Sequence, residues 1–235
     1  PEAIADWLDA TLVESDWRPV SLRTGVCVGD RVSFDDGTET AVDVSDPPAR
    51  ADAPDETGSV DDDPTPNADE TVDETTITAA LVAETVTAGG QCLAFVRSRA
   101  EAARLAEQLA ADDLAKQMGI EKAASSAADA VSDVDGTVTG RTLAGCVRSG
   151  VAFHHAGLRS GHRAAVERAF RDRKIACLCA TPTLAAGVNV PARRVVVRDQ
   201  RRYTGSSMEW LPTLEVHQMC GRTGRPGLDP HGEAI

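Results

Sequence analysis

The stretch VAFHHAGLRSGHRAAVERAFRDRKIACLCATPT, residues 151–183, decides the fold. VAFHH reads as a short strand, residues 160–172 as a helix, and IACLCA (175–180) as a second strand. A helix between two strands carries the chain back to the edge where the first strand began, so the strands pair in parallel. Parallel strands are covered on both faces, and both segments are accordingly apolar runs with no polar alternation.

The same alternation extends in both directions. CLAFV (92–96) and RVVVR (194–198) are strands of the same kind. Ser98-Arg99-Ala100-Glu101 is a capping-box pattern that opens a helix through EAARLAEQLA. RTLAGCVRSG (141–150) reads as a helix ending near Gly150, TLEVHQMCGR (213–222) as another, and the Ala- and Asp-rich residues 110–135 as partly helical. The expected fold is α/β, a parallel sheet with helices on both faces, and ligands bind such sheets beyond the carboxyl ends of the strands. Ahead of this, residues 2–10 look like the end of a helix, WRPVSL (17–22) is strand-like, and residues 31–44 read as a hairpin turning at Asp36-Gly37. From Ser45 to about Thr76 the composition shifts to Asp, Glu, Pro, Thr and Ala. Such a segment cannot bury enough apolar surface to offset its chain entropy and is expected to be a disordered linker. The organisation expected is therefore 1–44, an acidic linker over 45–76, and a main domain over 77–235.

The formal charge of −13 is unevenly spread. Residues 35–75 hold fifteen Asp/Glu and one Arg, whereas residues 141–225 hold fifteen Lys/Arg and five Asp/Glu. A basic working end points to phosphates, in a nucleotide or a nucleic acid. The six cysteines lack C-x-x-C spacing and are read as reduced thiols rather than metal ligands. No apolar run approaches a membrane span and no signal segment opens the chain, so a cytoplasmic location is expected. The chain starts at Pro1 and ends at Ile235 inside a continuing strand pattern, as a piece of a longer protein would.

Three motifs carry chemistry. In ATPTLAAGVN (180–189), Thr181 offers a hydroxyl and an amide at a strand's carboxyl end, Gly187 lets backbone approach a ligand, and Asn189 suits a ribose hydroxyl. An ordinary strand–turn–helix link carries the same residues. In FHHAGL (153–158), adjacent His154 and His155 point to opposite faces, which is poor for joint chelation, so no metal site is expected. In QMCGRTGRPG (218–227), Gln218, Arg222 and Arg225 fall at i, i+4 and i+7, the spacing of one helical face. Two permanent cations between small residues can present planar forks to a phosphate, or simply form a solvated basic helix end.

Taken together these segments resemble a known family. QMCGRTGR is similar to motif VI of superfamily 2 helicases, ATPTLAAGVNVPAR to motif V, CLAFVRSR to motif IV, and FHHAGL to the strand-contacting motif that follows it. They occur in the family's order, and their wording is similar to the Ski-type branch, closest to archaeal DNA helicases acting at stalled replication forks. The resemblance implies a RecA-like second motor domain. It implies that Arg222 and Arg225 contact the γ-phosphate of ATP, with Arg225 as the arginine finger and Gln218 linking the phosphate to the same helix. Gly187 and Asn189 would border the nucleotide. Arg97, Ser98, His154, His155, Gly157 and Thr181 would hold the backbone of a single strand. The partners implied are single-stranded or forked DNA, with RNA not excluded, and a first RecA-like domain whose tail would be residues 1–44.

No G-x-x-x-x-G-K-[ST] phosphate loop and no D-E-x-H box is present, and DETV (69–72) sits in the acidic tract with no strand before it. ATP and the ligands of its Mg2+ are therefore expected on the first domain, and this chain alone is expected not to hydrolyse ATP. The rival readings are an RNA helicase of the same branch and a non-catalytic nucleic-acid-binding remnant.

Overall fold

The structure, a computed structural model, describes residues 2–14, 18–44, 73–187, 189–203 and 207–235. The linker expectation over 45–76 lies outside the described residues up to residue 72, as does DETV. The residues beyond 72 correct it: a helix, α2, begins at Glu74, directly after Asp73.

The elements, in order, are α1 (Glu2–Leu8), β1 (Leu22–Val28), β2 (Arg31–Phe34), β3 (Glu39–Ala41), α2 (Glu74–Thr87), β4 (Cys92–Phe95), α3 (Arg99–Ala110), α4 (Leu114–Met118) and α5 (Glu121–Ser132). They continue with α6 (Val138–Arg148), β5 (Val151–His154), α7 (Ser160–Arg171), β6 (Cys177–Ala180), α8 (Thr183–Gly187), β7 (Arg194–Val197), β8 (Arg201–Tyr203), β9 (Met208–Trp210), α9 (Thr213–Cys220) and β10 (Gly232–Ala234). One sheet of eight strands runs β3-β2-β1-β10-β7-β4-β6-β5. Its pairs from β1 to β5 are parallel, and the β1-β2-β3 end is antiparallel. The hairpin turns at Asp36-Gly37 as read from sequence, with Gly37 at φ 81°. Of WRPVSL, residues 18–21 are not strand, and only its last residue, Leu22, begins β1.

Every residue of β4, β5 and β6 is buried, so both faces of the central sheet are covered. Helices α3 and α6 pack on β5, α7 packs on β5, and α2 and α9 pack on β7. Ser98 caps α3 as its capping-box pattern suggests, its hydroxyl accepting the Glu101 amide at 3.2 Å. The register levels the strands. Cys92 lies opposite both Cys177 and Arg194 at the amino rim, and Phe95 lies opposite both Ala180 and Val197 at the carboxyl rim.

A buried charge cluster joins the antiparallel end to the parallel body. Arg194 of β7 donates through Nη2 to Glu233 of β10 at 2.6 Å and through Nη1 to Glu84 of α2 at 2.7 Å. The other oxygen of Glu233 accepts from Arg23 of β1 at 3.4 Å and meets His231 Nε2 at 3.1 Å. Burial pushes the Glu233 carboxyl up, but Arg194 and His231 outweigh it and hold the group below its usual range. Removing one member of a buried pair strands the other charge. Glu233→Ala should therefore destabilise the chain by about 3 kcal/mol in urea unfolding. Glu39→Ala, which breaks only the exposed pair with Arg31, should leave the midpoint unchanged.

Candidate functional site

The level carboxyl rim brings together six of the residues singled out from sequence. Arg97 and Ser98 follow β4, His154 ends β5, His155 and Gly157 form the turn after it, and Thr181 follows β6. Each is fixed by a short contact. The Thr181 and Thr183 hydroxyls lie 2.9 Å apart. Arg97 donates through Nε to Glu101 at 2.6 Å, and its amide donates to Asp199 at 3.3 Å. The Gly157 amide donates to Nδ1 of His155 at 3.1 Å. Arg163 of α7 braces this turn from below, donating to the carbonyls of Leu158 at 2.6 Å and Ala156 at 3.2 Å. Space at Gly157 is tight, since a Cβ would come to 3.0 Å from His155 Nδ1 and 3.1 Å from the Arg99 guanidinium, and those side chains would have to shift to admit it.

What these contacts leave over is a row of donors. The Ser98 hydroxyl accepts from the Glu101 amide, so its own proton is left to donate. The Thr181–Thr183 pair has one proton to spare. Burial, and then the Arg99 charge, hold the His155 ring below its ordinary value, so it is neutral at neutral pH. With Nδ1 accepting, its proton sits on Nε2. Donors in a row suit phosphate oxygens, which carry no sequence information. His154 has a different place. It is buried, its Nε2 sits 3.0 Å from Glu167 Oε1, and its Nδ1 has no partner among the described residues. It holds α7 to β5 rather than facing a ligand. The two rings diverge, and no group of three or more His, Cys, Asp or Glu among the described residues is arranged to hold a metal.

The arginines lie at the other rim and do not share a helical face. Helix α9 stops at Cys220, and Gly221 caps it. Gly224, at φ 82°, then turns the chain away from the helical path. Gln218 is exposed on α9, Arg222 is half-buried beyond it, and Arg225 is buried. The turn is held to the amino end of β7, where Ala192 donates to the Arg222 carbonyl at 2.9 Å and accepts from the Gly224 amide at 2.8 Å. The Arg222 guanidinium donates to the Ala185 carbonyl of α8, two residues before Gly187. Arg225 instead pairs with Asp229, Nε to Oδ2 at 2.8 Å. Asn189 is exposed in the link between α8 and β7. At about 3.3 Å per residue, the amino rim lies roughly 20 Å from the donor row.

Residues 136–227 match the helicase conserved C-terminal domain. This segment belongs to the helicase C-terminal domain family. Over its whole length the chain is 39% identical to the ATP-dependent DNA helicase Hel308 of Methanocella arvoryzae and 34% identical to that of Methanococcus vannielii. Over 99% of its length it is 40% identical to that of Pyrobaculum calidifontis. It spans 28%, 28% and 29% of the lengths of these three relatives. The eight-stranded, mostly parallel sheet is the RecA-like arrangement of the helicase C-terminal domain. None of its described helices is long and apolar enough to cross a membrane.

Several residues of this helicase domain that shape the site carry no motif of their own: Glu167 under His154, Arg163 under the turn, and Asp229 and Gln91 around Arg225. The spacing of Arg225 and Asp229, four apart, was the one sequence signal available for them. His154 gives a pH test. Desolvation outweighs Glu167 and holds its pKa below the ordinary 6.5. Above that value both states are neutral. Below it the unfolded chain takes up the proton first, so stability is lost as pH falls through the window beneath 6.5. Urea midpoints should drop below about pH 6.5, and His154→Gln should remove part of that drop.

Proposed function

We propose that this chain is the second motor domain of an ATP-dependent DNA helicase. In this reading it holds a single strand along the carboxyl rim and meets, with its arginine turn, ATP bound by a first domain outside the chain. The observation that supports it most is the separation of the two groups. A motor must keep its track and its fuel apart yet coupled, and here α8 connects them. It leaves the carboxyl rim just after Thr181, and the guanidinium of Arg222 is bonded to its Ala185 carbonyl. Closure of the two domains on ATP would then be felt at Thr181, and hydrolysis would release it.

The roles follow from which donors are left over and which rim they stand on. Ser98, His155, Thr181 and Arg97 take phosphate oxygens of the strand, with Gly157 keeping that surface open. His154 supports them from behind. Arg222, whose side chain has only a carbonyl as partner among the described residues, is the cation most able to reach a γ-phosphate. Arg225 reaches one only by giving up Asp229 or Gln91. Gln218, exposed one turn earlier, and Gly187 and Asn189 border the nucleotide. Magnesium accompanying ATP neutralises charge on the phosphates when bound; the described residues do not form a set that would hold it, so its ligands belong in this reading to the other half. Residues 2–14 also belong with that half: α1 buries no residue and exposes Ile4, Trp7 and Leu8, with Trp7 82% exposed. The names of the relatives favour DNA as the strand; that the strand belongs to a fork rests on the sequence resemblance alone.

Strand-stimulated ATP hydrolysis tests the reading. This chain alone should show none. The longer protein containing it should hydrolyse ATP, and Arg222→Ala should lower kcat by on the order of a thousandfold. Thr181→Val should raise the strand concentration needed for half-stimulation without changing the unstimulated rate. Stimulation should weaken steeply with added salt, because the grip is on phosphates. Equal or better stimulation by RNA would favour the RNA helicase of the same branch, and a longer protein that binds strands without hydrolysis would favour the binding remnant.

A further inference from the structure

Four charged residues close a ring at the carboxyl rim. Arg97 and Glu101 follow β4, and Arg198 and Asp199 follow β7. Glu101 Oε1 accepts from Nε of Arg97 at 2.6 Å and stands 3.6 Å from Nη2 of Arg198. Asp199 Oδ2 accepts from the Arg97 amide at 3.3 Å and from Nε of Arg198 at 3.2 Å. Each carboxylate therefore bridges the same two arginines. The Arg198 amide donates to the Phe95 carbonyl at 3.1 Å, which holds the ring to the end of β4. The side chains of Arg198, Glu101 and Asp199 are 13%, 19% and 11% exposed, whereas that of Arg97 is 49% exposed. The two Nη groups of Arg97 have no partner among the described residues.

The capping box at the start of α3 is only half closed. The Ser98 hydroxyl takes the Glu101 amide, and a closed box would return the Glu101 carboxylate to the Ser98 amide. That carboxylate turns to Arg97 instead, and its Oε2 is buried without a partner among the described residues. Ion pairs with an exposed member add little to stability. Two carboxylates on a rim that meets phosphates are unfavourable there by their charge alone. We propose that Glu101, Arg198 and Asp199 are positioning residues for Arg97: closing a ring behind it, they hold its outer guanidinium nitrogens toward a phosphate of the single strand. This rests on the function proposed above. With Nε held by Glu101, the planar fork keeps both Nη groups for phosphate oxygens. A long side chain ordered in advance gives up less entropy when the strand arrives.

The test measures binding of the longer protein to a labelled oligothymidylate by fluorescence anisotropy, without nucleotide, over a range of salt. Arg97→Ala should weaken binding about tenfold at low salt. It should also flatten the plot of log affinity against log salt by about 0.7, the share of one phosphate on a single strand. Glu101→Leu should weaken binding about threefold or more with the same flattening, although it removes a negative charge from beside the strand. In the Arg97→Ala background Glu101→Leu should weaken binding no further, because both changes break one contact. Glu74→Gln removes a carboxylate that acts on Arg97 through charge alone and should not weaken binding. Asp199→Ala carries the same expectation as Glu101→Leu and decides if Glu101→Leu fails to fold. Unchanged or tighter binding in a Glu101→Leu protein that melts like the parent would overturn the proposal, since the carboxylate would then act only as a charge. So would a weakening by Glu101→Leu that persists in full without Arg97. A parent that binds no strand, or one indifferent to Arg97→Ala, would instead reject the strand-holding rim of the proposed function, and this inference with it.

Discussion

The parallel hydrogen bonds between β7, β4, β6 and β5 determine where each strand stops, and the site follows from that. Phe95, Ala180 and His154 stand in one row, with Val197 beside them. The residues that come next, Arg97, Ser98, Thr181 and His155, are therefore delivered to one rim by three connections far apart in sequence. A slip of one residue in any strand would turn its side chains to the opposite face. The slip is resisted because every position of β4, β5 and β6 is buried and apolar or paired.

The amino rim obeys a different logic. Ile175, Ala192 and Met219 are buried there, but the position of the turn is set by hydrogen bonds and by backbone shape. Gly224 breaks the helical course, Ala192 receives the turn, and Asp229 and Gln91 hold Arg225. Between the rims runs α8, five residues that begin beside Thr181 and pass the Ala185 carbonyl to Arg222. Such a short connector cannot absorb much displacement within itself, so movement at one end is passed to the other. The buried cluster of Arg194, Glu233, Glu84 and Arg23 plays a comparable part for the antiparallel strands, tying them to the same sheet.

The parts of the fold that were legible in the sequence are those whose environment is uniform. CLAFV and IACLCA could be read as strands because a sheet covered on both faces selects unbroken apolar runs. The helix Glu74–Thr87 was not legible, because ETTITAALVAETVT is rich in Thr and Val and looks unlike a helix. Its Thr78 and Thr85 hydroxyls donate to the carbonyls four residues back, at 2.7 Å each, which lets them sit buried in a helix. Strand β1 was hidden by Gly25, whose missing side chain is required by Val32 and Phe34, 2.9 Å from where a Cβ would be. In the site, the donor row could be found from motifs, whereas the even spacing of Gln218, Arg222 and Arg225 misled. Three, four and seven are helical numbers only while the helix lasts, and here it ends at Cys220. Gln91 was beyond reach because its role exists only where the chain closes on itself, and Asp229 offered only its spacing of four from Arg225.

The account stands or falls on two ligands occupying two rims. Hydrogen exchange of the longer protein, read peptide by peptide with a non-hydrolysable ATP analogue, with a single strand, and with both, measures this directly. The strand alone should protect residues 97–98, 155–157 and 181, and the nucleotide alone should protect residues 187–189 and 221–225. Both together should deepen protection across 181–187, the connector between them. Protection of the carboxyl rim by the nucleotide alone, with the strand protecting the arginine turn, would contradict the account.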